Sequence, residues 1–189
     1  MGQLIDGIWS DKDIISEIQA DGSYLKKPSV FRNFITVHGA SGFKAESGRY
    51  HLYSSTGCPW AHRTELFRAL KNLTEVITLH ETAQNPAGGG WWFEGVNHIV
   101  PGTDVTVTHL HEIYALADPG YSGKVSVPTL WDAQEKTIVN NESSEIIRMF
   151  NSEFSMVAPA TPDLCPPDLM GKIDEMNKLI LNGVNDAVN

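Results

Sequence analysis

The sequence predicts an α/β fold, and three observations carry that prediction. Strand-like and helix-like segments follow one another in the order β-α-β-α-β-β-α. Cys58 stands at the start of the first of these helices, and Pro128 stands ahead of the third strand. Together these features describe a thioredoxin-like topology, α/β with one antiparallel edge.

The segment Tyr50 to Ser55 alternates and is rich in strand formers, and Thr56-Gly57 is a turn. From Pro59 onward Leu66, Phe67, Leu70 and Leu73 recur at helical spacing, with Pro59 suited to the first helical position. Val76 to His80 is the next strand, so residues 50–81 form a βαβ unit with a parallel pair and a right-handed crossover. Gln84 to Gly102 reads as a long loop containing Gly88-Gly89-Gly90 and then Trp91-Trp92-Phe93. A loop of that length inside a compact domain usually carries function. Thr108 to Ala117 is a helix stopped by Asp118-Pro119-Gly120. Gly123 to Asp132 is a strand interrupted by Pro128, which argues for an edge, a bulge or a special bond. A hairpin turn leads into Thr137 to Val139, and Glu142 to Phe150 is a helix expected to bury Ile146, Ile147 and Phe150.

Four domain segments follow from this reading. Residues 1–49, with a short helix at Asp11 to Ala20, an extended piece at Phe31 to Val37 and a loop at Gly39 to Gly48, are an extension wrapped on the surface. Residues 50–151 are the α/β domain, and residues 152–167, holding Pro159, Pro162, Pro166 and Pro167, are a linker. Residues 168–189 form one amphipathic helix through Leu169, Ile173, Met176, Ile180, Val184 and Val188.

Composition limits the partners. The balance of 14 Lys+Arg against 23 Asp+Glu gives a net charge of -9, which argues against nucleic acid and anionic membranes. No run of membrane-spanning length is present, and two cysteines are too few for a disulfide framework; the expectation is a reducing cytoplasm. The seven histidines offer no tetrad with zinc-ligand spacing, so no metal is expected.

Cys58 has the most chemistry to offer. At the seam between a strand and a helix N-terminus, unpaired N–H groups and the helix dipole favour a thiolate. Position 61 is Ala, so no second thiol lies three residues on to resolve a disulfide, and the partner sulfur must come from outside. Cys165, between prolines, reads as an incidental thiol. Trp91 and Trp92 read as one core anchor and one ligand-facing ring, and Glu142-Ser143 as either a plain helix cap or an anion grip.

The segments CPWAHR (58–63), GWWF (90–93), DPGYSG (118–123), VPTLWD (127–132) and NNESSEIIRMFN (140–151) closely resemble the glutathionyl-hydroquinone reductases, the Xi class of glutathione transferases. Matching runs extend over most of the chain from residue 30 onward. The resemblance implies a thioredoxin-like glutathione-binding domain followed by an all-helical domain, of which residues 168–189 supply the first helix. It implies glutathione as co-substrate, and glutathionylated quinols or thiols as substrates, reduced through a Cys58–glutathione mixed disulfide. Cys58 matches the catalytic cysteine and Trp91 the loop tryptophan against glutathione. Val127, before a cis-Pro128, matches the residue whose backbone pairs with the cysteinyl unit. Glu142 and Ser143 match the pair at the γ-glutamyl end. Lys124 stands where some members carry an Arg toward the glycine carboxylate, keeping the charge and losing the planar fork.

Family members are longer, and their quinol-binding tyrosines lie beyond residue 189. The uncovered apolar stripe at 169–188 leaves three arrangements open: completion by a second polypeptide, truncation, or pairing of two copies as a homodimer. Two functions compete, a glutathione-dependent reductase and a non-catalytic glutathione-binding or interaction module. A general dithiol oxidoreductase is disfavoured by Ala61.

Overall fold

The computed structural model describes residues 2–12, 29–181 and 183. Most of the Asp11–Ala20 helix expected from sequence lies outside the described residues. In chain order the elements are β1 (Gln3–Ile5), β2 (Ile8–Ser10), β3 (Ile35–Thr36), β4 (Phe43–Lys44), β5 (Tyr50–Ser54), α1 (Pro59–Leu70), β6 (Ile77–Glu81), β7 (Ala83–Gln84) and β8 (Trp91–Trp92). They continue with β9 (His98–Ile99), β10 (Thr106–Val107), α2 (Leu110–Ala117), β11 (Gly123–Lys124), β12 (Thr129–Asp132), β13 (Thr137–Asn140), α3 (Ser143–Ser152) and α4 (Met170–Ile180).

The chain divides into two units, Met1–Asp13 with Ser29–Thr161, and Ile14–Pro28 with Pro162–Asn189. The first is built on a four-stranded sheet of order β13-β12-β5-β6. β5 and β6 run parallel from Tyr50↔Ile77 to Ser54↔Glu81, with α1 as their crossover, as the βαβ reading expects. β12 lies antiparallel to both β5 and β13, so Pro128 precedes an inner strand rather than an edge. The Val127–Pro128 peptide bond is cis, which is the special bond among the three options.

Period-two alternation sends side chains to two cores. Leu52, Leu130 and Val139 enter a cluster with Ile146, Met149 and Phe150 of α3. Tyr53, Trp131 and Ile138 enter a second cluster with Leu110, Ile113 and Tyr114 of α2. Both faces of the sheet are therefore covered, as its near-continuous apolar strands require.

Four expectations need correction. α1 buries Ala61 and Thr64, whereas Leu66 and Leu70 are 48% and 60% exposed. At 100° per residue Leu66 lies about 140° round the helix from Ala61, and small residues on the inner face let α1 sit close to the sheet. On α3 the inward set is Ile146, Met149 and Phe150 at i, i+3, i+4, leaving Ile147 half-buried. Residues 1–49 are not simply a surface wrap, because Leu4 and Ile35 are sealed in the two cores. β1 also joins β2 and β11 in a three-stranded sheet through Gln3↔Lys124. The 84–102 stretch is not structureless: β7 pairs with β8, and β9 with β10.

In the second unit, α4 is the amphipathic helix expected, and none of its side chains is buried. Val184 and Val188 lie outside the described residues. No helix among the described residues is long and apolar enough to cross a membrane.

Candidate functional site

Cys58 occupies the predicted seam. Its N–H donates to the Ser55 carbonyl at 3.0 Å, closing the turn after β5, and its own carbonyl accepts from His62 N at 2.9 Å to begin α1. Pro59 takes the first helical position, and Cys58 itself is extended at φ -110 and ψ 113. No side chain caps the helix at Cys58. The thiol is half-buried, and Sγ lies 3.7 Å from the Val127 carbonyl oxygen. The cysteine thus faces the backbone of the segment ending in cis-Pro128.

That segment is held from behind by Tyr114. Its hydroxyl donates to the Ser126 carbonyl at 3.0 Å, sits 2.8 Å from Thr129 Oγ1 and accepts from Asn141 Nδ2 at 3.1 Å. One buried phenol therefore ties the cis-proline loop to the segment leading into α3. Its sequence signal is a lone hydroxyl in the apolar run of α2.

Glu142 and Ser143 open α3. Glu142 Oε1 accepts from Ser144 N at 3.3 Å and from Ser144 Oγ at 3.1 Å, so the carboxylate is engaged as the helix cap. Arg63 arrives from α1: Nε donates to Ser143 Oγ at 2.9 Å, and Nη2 lies 3.8 Å from Glu142 Oε1. The guanidinium also rests 5.0 Å over the Trp60 ring. Burial lowers the Arg63 pKa and Glu142 opposes that shift, leaving a partly desolvated cation at the N-terminus of α3. Arg63 was not among the residues selected from sequence, although it closes the CPWAHR motif.

Trp91 and Trp92 form β8, and both are half-buried. Trp91 packs against the same core cluster that Cys58 borders and Val127 belongs to. It also lines a cleft of about 240 Å³ with Trp9, Asp11, Asn85, Gly90 and Val125. Trp92 instead bridges to His109. Lys124 lies in β11 next to Val125; it is half-buried, and its carbonyl accepts from Tyr121 Oη at 2.8 Å. The site residues therefore fall into three groups: Cys58 with Val127 and Pro128, Arg63 with Glu142 and Ser143, and Trp91 beside the Lys124–Val125 strand.

The histidines do other work. His62 is exposed. His51 and His80 meet at 2.9 Å between ring nitrogens, and His98 packs on His80 while taking a 2.9 Å bond with Tyr53 Oη. Burial, and then neighbouring histidines, push the His51 pKa down to about 4 and the His80 pKa to about 3; burial lowers that of His98. Among the described residues no cluster of His, Cys, Asp and Glu has metal-holding geometry. Both cysteines are free thiols.

Comparison with known proteins gives a consistent result. Residues 57–153 match the family described as the glutathione S-transferase N-terminal domain. The chain is 43% identical to glutathionyl-hydroquinone reductase YqjG of Escherichia coli, with all of the chain aligned to 59% of that protein. It is 39% identical to glutathionyl-hydroquinone reductase PcpF of Sphingobium chlorophenolicum, covering 58% of it. A Xi-class glutathione transferase from Natrialba magadii superposes with a TM-score of 0.83 at 38% identity, over all of this chain and 56% of that one. The glutathione-bound structure of Escherichia coli YqjG gives a TM-score of 0.80 at 41% identity, over 99% of this chain and 57% of that one. The chain thus spans less than two thirds of the length of these relatives. With its thioredoxin-like sheet, its thiol at the α1 N-terminus and its cis-proline, it belongs to the glutathione S-transferase family, in the Xi class.

Proposed function

We propose that this chain is the glutathione-binding part of a glutathione-dependent reductase that removes glutathione from glutathionyl-hydroquinones or mixed disulfides. The observation that carries the reading is Cys58 Sγ at the N-terminus of α1, 3.7 Å from the Val127 carbonyl that precedes cis-Pro128. A γ-linked tripeptide in extended form would pair its cysteinyl unit with the Val127 backbone and present its sulfur to Cys58. Glu142, Ser143 and the α3 N-terminus would take the γ-glutamyl end, Trp91 would cover the peptide, and Lys124 would meet the glycine carboxylate.

The chemistry proceeds in two exchanges. The Cys58 thiolate attacks the sulfur of the glutathionyl substrate and forms an S–S bond. The bond from that sulfur to the quinol carbon breaks, and the carbon keeps the electron pair and takes a proton. A second glutathione, as thiolate, then attacks the glutathione sulfur of the mixed disulfide, releasing glutathione disulfide and the Cys58 thiolate. Each turnover oxidises two glutathione units to the disulfide and reduces one substrate. We further propose that α4 begins a helical domain, that a partner copy or a second polypeptide covers it, and that the protein works in a reducing cytoplasm where both thiols stay free.

Intact-mass measurement after exposure to a glutathionyl-hydroquinone tests the reading. The expected product is a single glutathione adduct on Cys58, released by free glutathione and missing in Cys58→Ser. Turnover that survives Cys58→Ser overturns the mechanism. Retention on immobilised glutathione without adduct or turnover points instead to a binding module.

A further inference from the structure

The loop that carries Trp91 is tied down by side chains from the first hairpin of the chain and from α2. Asp11 Oδ1 accepts two bonds, from Gly89 N at 2.8 Å and from Trp9 Nε1 at 3.0 Å. His111 Nδ1 lies 3.0 Å from the Gly89 carbonyl, and its ring stacks on Trp9 with centroids 4.5 Å apart and planes 15° off parallel. Both backbone polar groups of Gly89 are thereby held by side chains from elements distant in sequence. The fit also explains the glycine run. Gly89 and Gly90 have φ of 84° and 76°, and a Cβ would come within 2.5 Å of His109 Nε2 at Gly89 and 2.9 Å of the Trp9 ring at Gly90. Asn85 N closes the same turn on the Gly90 carbonyl at 2.9 Å, one residue before Trp91.

We infer that Asp11, Trp9 and His111 are positioning residues: they form a latch that fixes the Gly88–Gly90 turn and so sets the Trp91 ring at one wall of the site. This rests on the reading above, in which Trp91 covers glutathione. The latch acts through Trp91 and touches no reacting atom. Burial holds the His111 pKa below its ordinary value, and the bond from Gly89 holds Asp11 low, so near neutral pH the latch joins a carboxylate to an uncharged imidazole. Its work is to remove loop freedom that glutathione would otherwise have to freeze on binding.

The test compares Asp11→Ala and Asp11→Asn in the whole chain, using glutathione binding by calorimetry and amide exchange at Gly89. Asp11→Ala should weaken glutathione by roughly three- to tenfold, the worth of a lost hydrogen bond or two. It should also speed Gly89 exchange while the β5 and β12 amides and the melting temperature hold. Asp11→Asn keeps an oxygen at Oδ1 for both bonds and should recover most of the affinity, which a role resting on charge alone would not allow. Unchanged affinity in Asp11→Ala, or failure of Asn to rescue, overturns the latch and leaves the glutathione reading standing. Wild-type protein that binds no glutathione overturns both.

Discussion

Arg63 of α1 donates through Nε to Ser143 Oγ at 2.9 Å, joining the helix that starts at Cys58 to the helix capped by Glu142. The sequence separates these residues by 80 positions, yet the fold sets them side by side at the N-terminus of α3. On the proposed glutathione pose, Arg63→Met should weaken binding about tenfold, because a charge-assisted bond and a cation beside the expected γ-glutamyl end are both lost. Arg63→Lys should recover only part of that, since a point charge replaces the fork. Titration calorimetry decides the matter: an Arg63→Met protein with native affinity removes the cation from the site.

The His51–His80–His98 cluster should make the domain acid-sensitive. The folded chain keeps these rings uncharged, with His51 near 4 and His80 near 3, whereas an unfolded chain protonates them near 6.5. Their contribution is complete above about pH 6.5 and is lost as pH falls from there toward 4 and then 3. Asp132 offsets this slightly at His51, and Tyr53 adds no charge. Melting temperature should therefore drop between pH 7 and 4.5. In His80→Gln that decline should be shallower, even though the starting value is lower; parallel pH curves would show the cluster to be silent.

Asp132 is fully buried and receives Arg49 Nε at 2.9 Å and Nη2 at 2.6 Å. Its Oδ1 also accepts from Gln134 N at 2.8 Å, forming the turn between β12 and β13. The Arg49 pKa is raised by this pairing. Replacing Asp132 with Ala removes the buried partner of Arg49 and leaves it Glu46 at 3.0 Å and Glu135 at 3.9 Å, so it should lower unfolding free energy by about 3 kcal/mol, read from the urea midpoint. A loss under about 1 kcal/mol would mean that Arg49 swings out to water.

Gly102 sits at φ 78°, and a Cβ there would lie 1.8 Å from the Ala133 carbonyl oxygen. Its neighbour Pro101 accepts the Trp131 Nε1 bond at 3.0 Å. Gly102→Ala should destabilise by at least about 1–3 kcal/mol through backbone strain alone, with the clash added to it. Thermal unfolding checks this, and an unshifted melting point would require the loop to run a different course.

What was legible in the sequence was what neighbours along the chain decide. The βαβ unit, α2 and α3 and the seat of Cys58 each follow from a few consecutive residues, whereas the bond before Pro128 was one of three local options and its cis form was implied only by the family resemblance. Long-range pairings were not legible. β1 has three residues and finds β11 across some 120 positions, so no local pattern marks it as a strand. No local pattern ties Arg63 to Ser143 or Asp11 to Gly89, pairs that only the fold brings together. Leu66 and Leu70 misled because helical spacing shows that an apolar stripe exists without showing which side of α1 meets the sheet.

Met149 shows how far a core position can depart from simple volume filling. Its sulfur accepts the buried Ile35 N–H at 3.0 Å, stitching β3 to α3. Leucine would preserve the bulk and abandon the lone pair, orphaning an amide in hydrocarbon. The same thioether, if oxidised, would carry a sulfoxide oxygen into a space sized for sulfur alone. Besides the thiol proposed to react at Cys58, the chain thus keeps a second, structural sulfur whose bond to Ile35 depends on that atom staying reduced.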